Sequence, residues 1–302
     1  MAANDGAMRV AVIGAGGLGG PAAMTLARHG ISVRLVDSDR VELSNLQRQV
    51  HFREADIGTP KVEATARRIR EVYPHAAIEP IEGVLDESSA ETLLGGCGVV
   101  IDATDNVRVR FQLNTWAVTR RVAAVIGGIQ RFDGLVAVVG PGFGPCLACL
   151  FDPEEVAGAG TCAGTGVIGA LAGVVGHVQG EAAARIVRGE GTALFGRALT
   201  VDAARGRMRA IDLPHAAPCE VCGGAMTMLD IRGARCPFTW VRTRLVLETM
   251  VPGGLLRIDM RRGETERNVT QNLRDEGHAV VAAGPGPDGD WRVFVRRGAN
   301  GA

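Results

Sequence analysis

The sequence predicts an α/β protein with two domains, and two observations lead to this. The N-terminal part reads as a short apolar strand, a glycine turn, a helix and a second strand in "MRVAVIGAGGLGGPAAMTLARHGISVRLVD". This is the order of a βαβ unit, so we expect a mainly parallel sheet. After "CEVCGGAMT" the pattern restarts and gives two strand–helix pairs and two final strands. We therefore predict a first domain over 1–224 and a small βαβαββ two-layer α/β sandwich over 225–302.

The composition excludes several classes of protein. The formal net charge is zero and the pI is about 7.0, so neither a nucleic-acid-binding nor a membrane-surface protein is indicated. The start, "MAANDGAM", has no signal-peptide pattern, and the most apolar stretch, 166–176, is shorter than the roughly 20 residues of a membrane span. That stretch is glycine-rich and predicts a buried helix. Seven cysteines without a secretion signal favour free thiols or metal ligands over disulfides. We expect a cytoplasmic protein.

The glycine turn after the first strand predicts a Rossmann-like nucleotide-binding domain. Gly14, Gly16 and Gly19, with Gly17 between them, spell G-x-G-x-x-G between a strand and a helix, and Asp37 ends the next strand. Such glycines let backbone N–H groups approach phosphate, while the acid can bind ribose hydroxyls. Close strand–helix packing without a ligand is the alternative. The motif alone does not separate NAD from ATP.

The residues that follow the second strand favour nucleotidyl transfer over hydride transfer. Polar and cationic side chains cluster there: Asp39, Asn45, Arg48, Gln49 and Lys61. Lys61 is the one lysine among 33 basic residues. A narrow site that aims one ammonium at a phosphate oxygen accepts lysine and excludes the wider arginine fork. The alternative is that an arginine-rich composition leaves one lysine by chance on a solvated helix face. Charge builds on phosphates during displacement, so a transferase needs such cations and a dehydrogenase does not.

Two further groups of residues predict metal chemistry. Asp102 and Asp105 in "DATDN" end another buried strand, where a carboxylate can hold Mg²⁺ against the phosphates. Two C-x-x-C pairs offer four thiolates for a tetrahedral structural Zn²⁺ site, and a redox C-x-x-C is the rival interpretation. The four cysteines are Cys146, Cys149, Cys219 and Cys222. Cys97 lies in an apolar stretch and is expected in the core.

The ordered motifs "GAGGLGG", "DSDRVELSNLQRQ", "DIGTPK" and "DATDN" resemble the ThiF/MoeB/HesA superfamily over roughly 8–224. These are bacterial relatives of ubiquitin-activating enzymes. The resemblance implies a homodimer that uses Mg-ATP to adenylate the C-terminal Gly-Gly carboxylate of a ubiquitin-like sulfur carrier. It implies a Zn²⁺ bound by the paired cysteine motifs, and it puts the ribose on Asp37.

The same resemblance assigns further roles. Arg48 and Asp105 would assist adenylation, Asp105 through Mg²⁺, and Cys162 stands where relatives carry a cysteine that can bond to the carrier terminus. The phosphates would be held by Asn45, Arg48, Gln49 and Lys61. Family members usually begin with an "RYxRQ"-like arginine that reaches the partner subunit's ATP. Only "MAANDGA" precedes the first strand here, and Arg9 is too close to that strand to take this role.

A second resemblance concerns the C-terminal domain. "LDIRGARCP", followed later by Gly277 and His278, resembles the TusA/SirA sulfur-relay family over 226–297. That family carries a persulfide on the cysteine that corresponds to Cys236. From the sequence alone, Arg232 and a helix starting after Cys236 should favour its thiolate. The motif departs from the usual C-P-x-P, with Thr239 as the fourth residue, and "DMRRGE" replaces the usual acidic stretch.

The two resemblances together predict an enzyme that adenylates a sulfur-carrier protein and transfers sulfur to it. A persulfide on Cys236, with Cys162 as a further catalytic thiol, would attack the acyl-adenylate and give a carrier thiocarboxylate. The donor would be a persulfide-generating enzyme such as a cysteine desulfurase. Two alternatives stay open, namely adenylation of a peptide or free acid and a non-catalytic scaffold that binds a carrier and a donor. A dehydrogenase is disfavoured.

Overall fold

The computed structural model describes residues 8–142, 144–151, 166–213, 219–223, 226–235 and 237–299, and these residues form two β-sheets. The strands of the first sheet are β1 (Arg9–Ile13), β2 (Val33–Asp37), β3 (Ile78–Glu82), β4 (Cys97–Asp102), β5 (Ala123–Gln130), β6 (Asp133–Val139), β7 (Arg197–Asp202) and β8 (Arg207–Asp212). Those of the second sheet are β9 (Met226–Asp230), β10 (Leu255–Met260), β11 (Ala279–Pro285) and β12 (Trp291–Arg296). The α-helices are α1 (Gly19–Arg28), α2 (Lys61–Val72), α3 (Ala90–Leu94), α4 (Val107–Arg120), α5 (Leu147–Leu150), α6 (Gly169–Val187), α7 (Phe238–Thr249) and α8 (Glu264–Asp275).

The first sheet has the topology that the βαβ pattern predicts. Its strand order is β3-β2-β1-β4-β5-β6-β7-β8. The first five strands run parallel, whereas β6, β7 and β8 are antiparallel to their neighbours. The order reverses between β1 and β4, and open sheets of this kind bind ligands at the carboxyl ends of the strands beside such a reversal. The predicted fold class is confirmed.

Helices cover both faces of the first sheet because apolar residues alternate along its strands. Val10 and Val12 of β1 belong to one apolar core and Ala11 and Ile13 to the other. The predicted glycine-rich helix is present as α6, which packs against α1. A Cβ atom on Gly176 would overlap the Leu18 carbonyl, so small residues allow this close approach.

Three strands of the first sheet were not predicted from the sequence. β3 reads "IEPIE" and is an edge strand that contains a proline. β8 reads "RMRAID", forms the opposite edge and is exposed at all six positions. Because an edge strand does not need an apolar run, hydrophobic periodicity gives a weak signal for such strands. The third, β7, links β8 to the rest of the sheet.

The second sheet confirms the predicted βαβαββ module. Its strand order is β11-β12-β10-β9, with β9 and β10 parallel and the other pairs antiparallel. One face packs against α7 and α8 through a core that includes Leu256, Ile258, Val293 and Val295. The helices follow the strands closely in sequence, as in other compact two-layer sandwiches.

The other face of the second sheet packs against the first domain. Leu255 and Phe294 belong to the same apolar core as β1, and the Phe294 ring lies edge-on to Phe195 with the ring centroids 6.2 Å apart. Polar contacts lie beside this apolar patch. Arg257 is 3.7 Å from Asp212 at the end of β8. The segment 191–195 of the first domain thus covers the face of the second sheet that its own helices leave open.

Among the described residues, no helix is both long enough and apolar enough to cross a membrane.

Candidate active site and metal centre

A large cavity opens at the carboxyl ends of the parallel strands, beside the reversal of strand order, with a volume of about 1380 Å³. Most of the predicted site residues line it: Gly14, Gly16, Gly17, Asp37, Asp39, Asn45, Arg48, Gln49, Lys61 and Asp105. The predicted motifs, which are spread over 92 positions from Gly14 to Asp105, therefore converge on one site.

The glycine turn is tightly packed beneath the cavity. Gly14 has φ +95°, and a Cβ atom there would lie 2.7 Å from the Ala103 carbonyl oxygen. Gly19 begins α1 and is buried, and a Cβ atom on it would overlap the carbonyl oxygen of Gly14. Gly19 is outside the set of described residues that line the cavity. We therefore expect it to shape the turn rather than to touch a ligand.

Asp37 ends β2 and holds the glycine turn in place. Its Oδ2 accepts a hydrogen bond from the Ala15 N–H at 2.6 Å, and its Oδ1 accepts one from the Asp39 N–H at 2.8 Å. Burial raises the pKa of the Asp37 carboxyl, although both hydrogen bonds act in the opposite direction. Each oxygen keeps a lone pair free, so the carboxylate can also accept a hydrogen bond from a ligand hydroxyl in the cavity.

Lys61 sends its ammonium into the cavity from the first residue of α2. The side chain is only 9% exposed, and its Nζ lies 2.7 Å from Asp39 Oδ2. The Asp39 side chain is 65% exposed and points into the cavity opening. The buried stem and the compact charge at its tip agree with the narrow lysine site that the sequence predicts.

The segment after β2 brings three more predicted side chains to the glycine turn. Asn45 is buried, and its Oδ1 accepts the Glu42 N–H at 3.2 Å. Gln49 is buried beside Gly16, and its Oε1 has no hydrogen-bond partner among the described residues. Arg48 donates to the Ser44 carbonyl at 3.1 Å. An unpartnered buried amide oxygen beside a glycine turn suits a ligand or a bound water.

The two acids of "DATDN" have different surroundings. Asp102 is fully buried, and its oxygens accept hydrogen bonds from Thr104 at 2.8 Å and from Arg110 Nε at 2.7 Å. Asp105 is exposed and lines the cavity. A hydrated cation can therefore reach Asp105, whereas Asp102 is committed to holding the strand end.

Sequence reasoning missed five arginines of the cavity, of which Arg40 follows β2 by three residues. Arg110 follows the strand end by eight residues, and it also donates to the Thr104 and Gly127 carbonyls. Arg205, Arg207 and Arg209 come from the β7–β8 hairpin. No sequence signal could have placed the hairpin there, because neither of its strands was predicted.

The two cysteine pairs meet at one point, as predicted. The Sγ atom of Cys146 lies 3.9 Å from the Sγ atoms of both Cys149 and Cys219. The Sγ atom of Cys149 lies 3.4 Å from the Sγ atom of Cys222. All four Sγ atoms lie within 4.8 Å of one another. A tetrahedral Zn²⁺ with Zn–S bonds of about 2.3 Å separates its sulfurs by about 3.8 Å. The four residues therefore fit a structural Zn²⁺.

The local structure supports a metal centre rather than a redox pair. The Leu147 N–H, at the start of α5, donates to Asn114 at 2.9 Å, and the backbones of Cys219 and Gly223 bond to each other at 2.9 and 3.2 Å. These contacts fix both loops around the sulfurs. Cys97 is buried in the core as expected, and burial raises the pKa of its thiol. The two predicted catalytic cysteines, Cys162 and Cys236, lie outside the described residues.

Comparisons with known proteins agree with this geometry. Residues 6–222 match the family model described as the ThiF family. The chain belongs to the ThiF family. Residues 227–297 match the model described as Sulfurtransferase TusA. Both predicted resemblances are therefore confirmed, in the predicted order along the chain.

Two curated relatives of this ThiF-family chain are similar over most of their own length. The SAMP-activating enzyme E1 of Haloferax volcanii is 41% identical over 217 residues, which cover 71% of this chain and 80% of that relative. The molybdopterin-synthase adenylyltransferase of Escherichia coli K12 is 37% identical over 220 residues, which cover 71% and 87%. The predicted enzyme class, an adenylyltransferase, is confirmed at this level.

A solved structure agrees in fold. The crystal structure of E. coli MccB with MccA-N7isoASN has a TM-score of 0.63 and 17% identity, and covers 72% of this chain and 67% of its own. At this identity the likeness supports the ThiF-family fold alone.

Proposed function

We propose that this protein uses ATP and Mg²⁺ to adenylate the C-terminal glycine of a small ubiquitin-like sulfur carrier, and then transfers sulfur to it. The division of the chain at 224/225 would separate the two activities. The observation that carries the proposal is the convergence of the glycine turn, Lys61, Arg48 and Asp105 on one cavity in a ThiF-family domain that is joined to a TusA domain.

The nucleotide would lie along the glycine turn. Asp37 would accept the ribose hydroxyls, and the backbone N–H groups of Gly16 and Gly17 would face the phosphates. Lys61 and Arg48 supply positive charge, and the stabilisation that this charge gives increases as negative charge develops on the phosphates in the transition state. This assignment agrees with the position of all five residues on the cavity surface.

Magnesium would bind at Asp105. When bound there, the ion would supply positive charge against the phosphates. Asp105 offers an exposed carboxylate at the cavity, whereas the Asp102 oxygens are occupied by Thr104 and Arg110.

The cavity has room for a second substrate beside the nucleotide. Its volume of about 1380 Å³ exceeds the roughly 300–1,000 Å³ of a typical small-molecule site. The part lined by Arg205, Arg207 and Arg209 lies away from the glycine turn in sequence and in sheet order. We assign that part to the carrier's C-terminal segment, whose carboxylate attacks the α-phosphate and displaces pyrophosphate.

Sulfur transfer would follow in two balanced steps. The terminal sulfur of a Cys236 persulfide attacks the acyl carbon, AMP leaves, and an acyl disulfide forms. A second thiolate, which we assign to Cys162, attacks the Cys236 sulfur and releases the thiocarboxylate. Two cellular thiol groups then reduce the Cys162–Cys236 disulfide by exchange and are themselves joined in a disulfide, which restores both cysteines for the next cycle. Both cysteines were identified from the sequence.

The partners follow from this cycle. They are a carrier that ends in Gly-Gly, a persulfide-generating donor such as a cysteine desulfurase, and a second copy of this chain. The reaction needs no nucleic acid or membrane, and we place it in the cytoplasm.

The experiment that tests the proposal is intact mass spectrometry of Gly-Gly-ended carriers after incubation with the protein, Mg-ATP and a persulfide donor. We expect a gain of about 16 Da, from oxygen replaced by sulfur at the acyl group. Cys236→Ala should abolish the gain and keep AMP formation, and Lys61→Arg should abolish both. AMP release on a free peptide or acid, without carrier modification, would replace this proposal by the first alternative. Failure to bind ATP would support the scaffold.

A further inference from the structure

The backbone of Ala15, inside the glycine turn, is held at both its N–H and its carbonyl oxygen. Its N–H donates to Asp37 Oδ2 at 2.6 Å. Its carbonyl oxygen lies 3.3 Å from Nε2 of His51. Asp37 was expected from the sequence because it ends the second strand, but His51 was not singled out there. It is a side chain that touches the phosphate-binding turn without lining the cavity among the described residues.

The His51 ring is wedged between the turn and the segment that carries Arg48 and Gln49. A Cβ atom on Gly20, in the first turn of α1, would overlap the ring. The ring also contacts Phe52, with the ring centroids 4.0 Å apart. The ring therefore has little freedom to rotate, and Gly20 provides the space in which it lies.

The hydrogen bond to Ala15 fixes the tautomer of His51. A carbonyl oxygen only accepts, so Nε2 must carry the proton. Nδ1 is buried and has no hydrogen-bond partner among the described residues. Burial lowers the pKa of His51 to about 4, so at neutral pH the ring is uncharged and acts as a single N–H donor.

The direction of the Ala15 carbonyl decides the direction of the next N–H. In a trans peptide the C=O of one residue and the N–H of the next point to opposite sides. His51 holds the Ala15 carbonyl on the side of its own ring, so the Gly16 N–H points the other way. Gly16 lines the cavity, and this N–H is one of the donors that a phosphate would meet.

We propose that His51 is a positioning residue for the nucleotide phosphates: its Nε2–H holds the Ala15 carbonyl and thereby aims the Gly16 N–H into the cavity. The inference rests on the proposed nucleotide binding and deepens it. It adds a residue that acts through the backbone and never touches the ligand. Cationic side chains give the phosphates their charge complement, whereas His51 fixes the direction of an uncharged donor.

The test compares two substitutions at His51 by equilibrium binding of Mg-ATP and of adenosine to the full-length protein. His51→Phe keeps a ring and removes the donor. His51→Gln places an amide N–H near the Nε2 position. We expect His51→Phe to weaken Mg-ATP binding about fivefold to tenfold, as for the loss of one hydrogen bond. Adenosine has no phosphate, so its affinity should change less than twofold, and His51→Gln should restore most of the ATP affinity.

Each other outcome has a distinct meaning. Wild-type ATP affinity in His51→Phe would overturn the positioning role. Equal weakening of ATP and adenosine binding, or failure of His51→Gln to restore ATP binding, would show that the ring only fills space. If the unmodified protein binds neither ligand, the proposed nucleotide function falls first and the inference falls with it.

Discussion

The two sheets differ in how their faces are covered. The first sheet buries both faces against elements of its own domain, with α1 and α6 on one side and α4 and the paired cysteine loops on the other. The second sheet buries one face under α7 and α8 and the other against the segment 191–195. The first domain therefore covers both faces of its sheet with its own elements, whereas the second relies on its neighbour to cover one face.

The largest effect should come from the metal centre, because four buried or half-buried sulfurs anchor one core of the first domain. Cys146→Ser should lose the bound Zn²⁺ and destabilise the first domain by several kcal/mol, a large part of a typical stability of about 5–15 kcal/mol. Metal content and thermal unfolding measure this. Cys97→Ala is the matched control, since Cys97 lies in the same core without contacting the cluster. It should keep the metal and cost about 1 kcal/mol. Full metal content in Cys146→Ser would contradict the assignment.

A smaller loss of stability, confined to the second sheet, should come from the apolar contact between the two domains. Phe294 is fully buried between them, and Phe294→Ala should destabilise the second sheet by about 3–5 kcal/mol. Hydrogen exchange should rise in β10 and β12 and stay unchanged in β1 and β4. Phe238→Ala, at a position that is 64% exposed on α7, should change stability by less than about 0.5 kcal/mol. Equal loss of protection in both sheets would mean that the domains unfold as one unit.

The smallest effect should come from the ion pair across the domains. Asp212 is 58% exposed, so Asp212→Asn should cost less than about 1 kcal/mol, and the cost should fall in high salt. Asp259 accepts hydrogen bonds from the buried Arg257 at 2.9 Å and Arg292 at 2.6 Å. Asp259→Asn should therefore cost about 3 kcal/mol and respond little to salt. Denaturant unfolding of both variants at two salt concentrations decides this. A reversed order would show that the contacts of Asp212, with Arg257 and with Arg197 at 3.4 Å, are stronger than those of Asp259.

Sequence reasoning predicted elements whose apolar pattern is local. β1, α1 and β2 carry strong strand and helix patterns separated by glycines, and the C-terminal module repeats such patterns in short succession. The edge strands β3 and β8 were not predicted, because an edge strand pairs with one neighbour only and does not need an apolar run of residues. Periodicity reports what a segment buries, and these segments bury little.

The site divides in the same way. Asp37 and Lys61 were predicted because each stands at a fixed place relative to a recognisable strand or motif. Arg207 and Arg209 were not, since their approach to the cavity depends on the order of strands across the sheet. His51 was missed because it acts on the backbone of Ala15, and a hydrogen bond to a carbonyl leaves no pattern in the sequence.

The position of the last metal ligand limits how the second domain can travel. Cys222 is four residues before Met226, the first residue of β9, and four residues of extended chain reach about 14 Å. If a metal holds Cys222, the start of β9 stays within this distance of it even when the contacts between the two domains open. In the sulfur transfer that we propose, the second domain would therefore remain beside the cysteine cluster, and the carrier's C-terminal tail would cover the remaining distance to the nucleotide.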